Sequence, residues 1–326
     1  MNMSYSHQFK EKLKINYVDM WPDFQNQNNI FHQLLSKRYD LEITSTPDFL
    51  IYSCFGNEHL KYSCAKLFYT GENQKSNFYA CDYAVTFEML ASHKQYYLPY
   101  YVLRVIEANK LSQLKKIYNQ QEAQDILDSK TQFCCTVVSN GFGQVRNHFF
   151  RELNKVKKVN SGGRFENNVG GPVKDKNSFC QQHKFVFAFE NEKEKGYCTE
   201  KITDALLSNS IPIYFGDPTV TEVFNSSRFL NYDDFSSTDD LIKAILDIDS
   251  NDKKFMEILK QPVFKNAQTP DFFDLNHLLD FISTCIDDSK LNTPVSQTYK
   301  RHIYWVATKV KNAKNKIRNT LILSNR

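Results

Sequence analysis

Residues 184–218 have the sequence KFVFAFENEKEKGYCTEKITDALLSNSIPIYFGDP. Residues 184–189 are mostly apolar and predict a buried strand, whereas residues 199–208 carry apolar side chains at helical spacing. Residues 211–215 predict a second strand, which the Gly-Asp-Pro tripeptide ends. The stretch therefore predicts a strand–loop–helix–strand unit of an α/β sheet. Its charged loop falls at the carboxyl end of a strand, where open α/β sheets bind ligands.

The same alternation continues on both sides of this unit. Short strands alternating with helices predict parallel α/β sheets, here in two Rossmann-like halves. Strands are predicted at residues 13–20, 48–54, 66–70, 82–87 and 131–138 and near Phe229. Helices are predicted at residues 30–38, 144–155, 239–249 and 253–260, and a mainly helical stretch at residues 115–130.

Composition limits the protein's class and compartment. The 326 residues are long for one core and suit two. No window reaches about 18 consecutive apolar residues, and residues 1–12 lack an apolar signal-peptide core, so neither a transmembrane helix nor an export signal is expected. The eight cysteines have no regular spacing. They are expected to be reduced, with Cys198 serving in packing.

The positive net charge of +4 resides in the C-terminal tail. Residues 299–326 hold eight of the 41 Lys and Arg, which leaves 33 against 37 Asp and Glu. Tail residues at helical spacing form an apolar stripe, and Tyr304 and Trp305 add aromatic anchors. This pattern predicts a basic amphipathic helix on anionic lipid. The alternatives are a helix packed on the body and an RNA-attracting charge run. The stripe comprises Ile303, Val306, Val310, Ala313, Ile317 and Leu321, and the basic residues set mostly apart from it are Lys309, Lys311, Lys316, Arg318 and Arg326.

The loop and helix start after residue 189 suit a sugar-nucleotide ligand. A helix start at Thr199 offers free N–H groups to an anion, and Lys201 adds a positive charge for a pyrophosphate. Glu190 and Glu200 can accept hydrogen bonds from sugar hydroxyls, and Tyr197 offers a ring face and a hydroxyl. The alternative is a solvated, charged loop, which is common in this position.

Three groups of residues resemble the α-1,3-fucosyltransferases of glycosyltransferase family 10, and its compact bacterial members most closely. The first group is the signature between residues 189 and 216. The second is LFYTGEN at residues 67–73, followed by Asn77-Phe78. The third is Val145-Arg146-Asn147 before Phe149-Phe150, with Asn160-Ser161-Gly162-Gly163 after it. The signature residues are Phe189-Glu190-Asn191, Tyr197, Thr199-Glu200-Lys201, Ile211-Pro212 and Gly216.

The resemblance implies a GT-B architecture with two Rossmann-like domains facing a central cleft. Residues 1–138 would form the acceptor-binding domain, residues 139–290 the GDP-fucose-binding domain and residues 291–326 the basic tail. Glu72 would be the general base. Donor binding would fall to Arg146, Asn191, Tyr197, Glu200, Lys201 and Glu190. For Glu190 and Glu200 the alternative is that they position Lys201 and Arg146.

The expected function is an inverting α-1,3-fucosyltransferase. It would move L-fucose from GDP-β-L-fucose to a GlcNAc hydroxyl of an N-acetyllactosamine-type glycan such as lipopolysaccharide O-antigen. The alternatives are another acceptor or an α-1,4 linkage, and a non-catalytic glycan-binding relative. The eight histidines are scattered without metal-ligand spacing, and no metal or other cofactor is expected. The expected location is cytoplasmic, peripherally bound to membrane and without a nucleic-acid partner.

Overall fold

The computed structural model describes residues 10–324, without the side chains of residues 311, 312 and 315–324. The strands are β1 (Glu11–Val18), β2 (Tyr39–Ile43), β3 (Phe49–Tyr52), β4 (Ala65–Tyr69), β5 (Tyr83–Thr86), β6 (Gln95–Tyr97), β7 (Gln132–Thr136), β8 (Val159–Ser161), β9 (His183–Phe189), β10 (Ile211–Phe215) and β11 (Leu230–Asn231). The helices are α1 (Ile30–Leu35), α2 (Tyr100–Glu107), α3 (Leu111–Leu114), α4 (Gln120–Ser129), α5 (Gln144–Val156), α6 (Lys176–Gln181), α7 (Glu200–Leu207), α8 (Thr238–Asp249), α9 (Asp252–Leu259), α10 (Leu275–Leu291) and α11 (Tyr299–Ser324).

Among the described residues, the first compact unit contains residues 10–98 and 274–324. Its six strands pair in parallel in the order β2-β1-β3-β4-β5-β6. Strands β3, β4 and β5 are buried along their whole length, as expected for parallel strands covered on both faces. The β1 and β3–β5 predictions are confirmed, with ends shifted by up to two residues.

The second compact unit contains residues 99–273. Its five parallel strands have the order β11-β10-β9-β7-β8. Phenylalanines of β9 and α5 fill its core, where the rings of Phe149 and Phe189 stack 5.5 Å apart. The unit predicted from residues 184–218 is therefore present as β9, α7 and β10, near the middle of this sheet.

These units divide the chain at different places from the sequence-based boundaries. Residues 99–138 belong to the second unit, because their side chains contact it: Gln113 donates to the Leu207 carbonyl at 2.9 Å, and Tyr118 donates to Asn209 at 2.7 Å. Helix α10 belongs to the first unit, where Tyr83 donates to Asp288 at 2.5 Å. The chain thus returns to its first unit after residue 273, which local patterns do not reveal.

The basic tail forms the predicted helix, α11. Ile303, Val306 and Val310 on its apolar stripe are 49%, 43% and 49% exposed. Tyr304 differs from the predicted lipid anchor because its ring faces the first unit, 6.4 Å from the His59 ring. The stripe residues Ile317 and Leu321 and the basic residues Lys311, Lys316, Arg318 and Arg326 lie outside the described side chains. None of the described helices combines the length and hydrophobicity needed to span a bilayer.

Candidate active site

Glu190 anchors the start of α7 to the carboxyl end of β9. Its side chain is fully buried, and its Oε1 accepts the Thr199 N–H at 2.7 Å and the Thr199 hydroxyl at 2.8 Å. Oε2 accepts from the Lys201 ammonium at 2.7 Å. Because both oxygens accept from the protein, the geometry favours the second of the two predicted roles of Glu190, which is to position Lys201.

Lys201 is held in the first turn of α7 by two oxygen atoms. Besides the Glu190 carboxylate, the Thr199 hydroxyl accepts from its Nζ at 2.7 Å. Burial alone would lower the pKa of Lys201, but the carboxylates of Glu190 and Glu200 raise it. The ammonium is therefore kept charged, and its side chain remains 24% exposed. A charged group at a helix start is suited to an anionic ligand.

The backbone around Glu190 leaves no room for larger residues. A Cβ at Gly216 would lie 2.5 Å from Glu190 Cγ and 2.8 Å from the Tyr214 hydroxyl. Asp217, the next residue, is buried and accepts from the Gly196 and Thr219 N–H groups, both at 2.8 Å. It ties the loop before α7 to the end of β10. The tripeptide Gly-Asp-Pro predicts only the end of a strand, so the sequence gives no signal for this role of Asp217.

Arg146 lies in the first turn of α5 and joins two loops of the second unit. Its Nη1 donates to Asn191 Oδ1 and its Nη2 to the Asn140 carbonyl, each at 2.9 Å. Burial lowers the pKa of this guanidinium, although an arginine remains protonated at physiological pH. A Cβ at Gly143 would lie 2.9 Å from Arg146 Cζ, so the glycine lets the guanidinium approach the backbone.

The structure brings the predicted donor residues to one edge of the second sheet. Arg146 bonds Asn191, and Asn191 follows Glu190, which bonds Lys201. Glu200 lies 4.0 Å from the Lys201 ammonium. Burial alone would raise the pKa of Glu200, but the charges of Lys201 and Lys176 lower it. Tyr197 is buried in the loop before α7, so its ring is part of the wall of this edge.

Glu72 lies in the first unit, just after β4. Its N–H donates to the Thr70 hydroxyl at 2.9 Å, and its carbonyl accepts from the Gln74 N–H at 2.7 Å. Thr70 is buried while the Glu72 residue is exposed. Hydrogen bonds thus hold the backbone at Glu72, and the residue is exposed to solvent.

Two further expectations concern cysteine and metal. Cys198 is fully buried, and burial raises the pKa of its thiol well above the ordinary value, in agreement with a packing role. All eight cysteines are free thiols. Among the described residues, no group of three or more His, Cys, Asp or Glu side chains is placed to hold a metal ion.

Two family models match the chain over most of its length. Residues 15–104 match the N-terminal domain of the α-(1,3)-fucosyltransferase FucT, and residues 127–301 match the C-terminal part of glycosyltransferase family 10 (fucosyltransferase). Among curated relatives, the Helicobacter pylori α-(1,3)-fucosyltransferase FucT is 31% identical over 86% of this chain and 67% of its own length. A mouse 4-galactosyl-N-acetylglucosaminide 3-α-L-fucosyltransferase 9 is 33% identical over 39% of this chain and 36% of its own length.

Solved structures agree with these matches. A crystal structure of an α1,3-fucosyltransferase superposes with a TM-score of 0.74 at 26% identity, covering 91% of this chain and 95% of that one. An α1,3-fucosyltransferase crystallised with GDP-fucose gives a TM-score of 0.71 at 28% identity, covering 88% and 94%. These structures also support the GT-B class predicted from the sequence. The chain therefore belongs to glycosyltransferase family 10, the fucosyltransferases.

Proposed function

We propose that this glycosyltransferase moves L-fucose from GDP-β-L-fucose to a GlcNAc hydroxyl of an N-acetyllactosamine-type glycan, such as lipopolysaccharide O-antigen, through an α-1,3 linkage. The observation that carries the proposal is the cationic edge of the second sheet. There Arg146 and Lys201 are each fixed by a side-chain partner, Asn191 and Glu190, at consecutive positions after β9. The related fucosyltransferase crystallised with GDP-fucose supports this choice of donor.

The proposed donor site stabilises the departing diphosphate. As the bond from fucose C1 to the β-phosphate oxygen breaks, negative charge grows on GDP. A guanidinium and an ammonium with fixed positions stabilise that charge without reorganising during the reaction. The positive end of the α7 dipole adds to them. Asn191, Tyr197 and Glu200 would orient the fucose and ribose hydroxyls, while Glu190 keeps Lys201 in place.

Glu72 would act on the acceptor. Its carboxylate takes the proton of the acceptor hydroxyl while that oxygen forms its bond to C1 and the bond from C1 to GDP breaks. One displacement on the face opposite the leaving group converts a β-linked donor into an α-fucoside. General-base catalysis of this kind contributes roughly 10²–10⁴ in rate.

The test of the proposal is transfer from radiolabelled GDP-fucose to a panel containing N-acetyllactosamine, type 1 chains and lactose. We expect labelled N-acetyllactosamine, with an α-anomeric proton and a linkage to GlcNAc O3 by NMR. Transfer to O4 would show that the linkage is α-1,4 and not α-1,3. A β-anomer would contradict a single displacement at C1. Tight GDP binding without transfer to any acceptor would favour a binding-only relative.

We propose a cytoplasmic location with peripheral membrane association, and the exposed apolar stripe of α11 supports the membrane association. Eight basic residues and no acidic ones lie in residues 299–326. Such a helix binds anionic lipid because its apolar face enters the membrane surface and its basic side chains attract the lipid charge. Vesicles with phosphatidylglycerol should carry the protein upward in a density gradient, and neutral vesicles should not. A Val306→Glu, Val310→Glu double variant that still floats would contradict membrane binding through this stripe.

A further inference from the structure

The first unit contains a cavity of about 550 Å³ at the carboxyl ends of β3 and β4. Ligand sites in proteins are commonly of this size, and parallel sheets bind ligands at this end of their strands. Its lining includes Asn73 and Gln74, which directly follow Glu72, and Asn77. Amide side chains both donate and accept hydrogen bonds, as recognition of sugar hydroxyls requires. The cavity is thus polar and adjoins the proposed base along the chain.

One wall of the cavity is formed by Tyr304, Ala307 and Thr308, in the first turns of α11. These residues are three and four positions apart and so share a helix face. The exposed stripe of Ile303, Val306 and Val310 lies on another face. At the start of α11, one face of the helix therefore lines the cavity and another face is exposed to solvent.

The wall behind Tyr304 is built around an Asp–His pair. Asp19, whose side chain is 1% exposed, accepts from His59 Nδ1 at 2.6 Å and from the His59 N–H at 2.9 Å. The His59 ring stacks on Tyr52 at 4.2 Å. A Cβ at Gly56 would lie 2.3 Å from Asp19 Oδ1, so the glycine admits the carboxylate. Neither Asp19 nor His59 is in the motifs that carry the family resemblance.

Two side-chain atoms in this wall have no hydrogen-bond partner within residues 10–324. They are His59 Nε2 and Ser53 Oγ, both buried. Since the carboxylate of Asp19 can only accept, Nδ1 of His59 is the donor in this pair. Buried polar atoms normally have partners. Because both atoms are closed off from solvent, they belong to the interior of the wall, and the cavity offers a ligand the amide side chains and the Tyr304 ring instead.

We propose that this cavity is a subsite for one sugar ring of the acceptor glycan, with Tyr304 as the ring-stacking wall. The proposal rests on the proposed function, because it assigns the cavity to the acceptor of that reaction. It gives the start of α11 a role in acceptor recognition, separate from membrane binding by the exposed stripe. Asp19 and His59 would be positioning residues that hold the wall behind Tyr304.

Steady-state kinetics with soluble N-acetyllactosamine test the subsite. Tyr304→Ala should raise the acceptor KM about tenfold, because stacking and one hydrogen bond are lost, while kcat and the KM for GDP-fucose change less than twofold. Tyr304→Phe should recover most of the loss. Trp305→Ala, an aromatic control on the same helix with 43% exposure, should behave like the wild type. An acceptor KM within twofold of wild type in Tyr304→Ala would overturn the proposal.

A binding measurement separates failure of the subsite from failure of the proposed function. Saturation-transfer NMR with N-acetyllactosamine reports sugar binding whether or not transfer occurs, and calorimetry with GDP reports the donor site. We expect sugar signals in the wild type and at least a severalfold loss in Tyr304→Ala, with unchanged GDP affinity. Wild-type protein that binds GDP but gives no signal at millimolar sugar would overturn the subsite and leave the donor site standing.

Discussion

Substitution of Glu190 by Gln tests how the donor edge is held together. Glutamine keeps the shape of the side chain and one acceptor for the Thr199 N–H, 2.7 Å away. In the variant an NH2 group replaces Oε2, which accepts from the Lys201 ammonium at 2.7 Å. That NH2 group is itself a donor and cannot accept from the ammonium. The variant therefore loses an ion pair whose carboxylate is fully buried.

The magnitude follows from the burial of the two partners. A hydrogen bond to a charged group contributes about 1.5–3 kcal/mol, and the partial exposure of Lys201 moves the estimate toward the middle of that range, about 2 kcal/mol. For a unit the size of residues 99–273, a loss of about 2 kcal/mol lowers Tm by roughly 4–8 °C. With Lys201 free to turn away, GDP binding should weaken about tenfold.

Thermal denaturation followed by circular dichroism, together with calorimetry of GDP binding, measures both effects. Glu192→Gln is the matched control, because it neutralises an exposed carboxylate two residues later in the same loop. We expect its Tm within 1 °C of wild type. If Glu190→Gln retained the wild-type Tm and GDP affinity, the assignment of Glu190 as the residue that positions Lys201 would be wrong.

Three further predictions address the guanidinium, the pH dependence and metal. Gly143→Ala should weaken GDP binding at least tenfold and lower Tm by a few degrees, because the added Cβ displaces Arg146 from its hydrogen bonds although φ of −74° itself suits alanine; calorimetry showing normal affinity would contradict this. Burial lowers the pKa of Lys130 to about 7. Above pH 7 the folded chain therefore binds fewer protons than the unfolded chain. As a result the free energy of unfolding rises with pH, by up to about 1.4 kcal/mol per pH unit. Urea denaturation at several pH values should show this rise in wild type and not in Lys130→Met, and parallel curves would refute it. Activity should persist in excess EDTA, whereas complete loss that Mn²⁺ restores would show that a metal is required.

Local sequence patterns predicted the secondary structure of the donor edge, but they did not predict how the chain divides into two compact units. The apolar run before Glu190 and the spacing in α7 predicted the secondary structure within one or two residues, because a buried strand and an amphipathic helix leave local signals. Strand β2 was missed, since its sequence YDLEI is short and half exposed. The return of α10 to the first unit depends on contacts such as Tyr83 with Asp288, 205 residues apart, for which no local pattern exists.

The same distinction holds for the candidate site. Some of its residues are recognisable from the local sequence, whereas others depend on contacts between distant parts of the chain. Arg146, Lys201 and Glu72 each lie in a short motif of neighbouring residues, so the local sequence is enough to point to them. The function of Glu190 as a buried anchor depended on its three-dimensional partners, which residue type alone does not distinguish from a sugar contact. Asp19 and His59 are 40 residues apart in the chain and meet only when β1 and β3 pair. Their cavity therefore had no signature in the sequence.

The most direct test of the central claim is the rate of fucose transfer by Glu72→Gln at saturating GDP-fucose and N-acetyllactosamine. Glu42→Gln, which changes an exposed carboxylate on β2 of the same unit, serves as the control. The account predicts wild-type transfer by Glu42→Gln and a loss of about 10²–10⁴ in kcat for Glu72→Gln, with GDP affinity within twofold of wild type. Transfer by Glu72→Gln at the wild-type rate would contradict the assignment of Glu72 as the base.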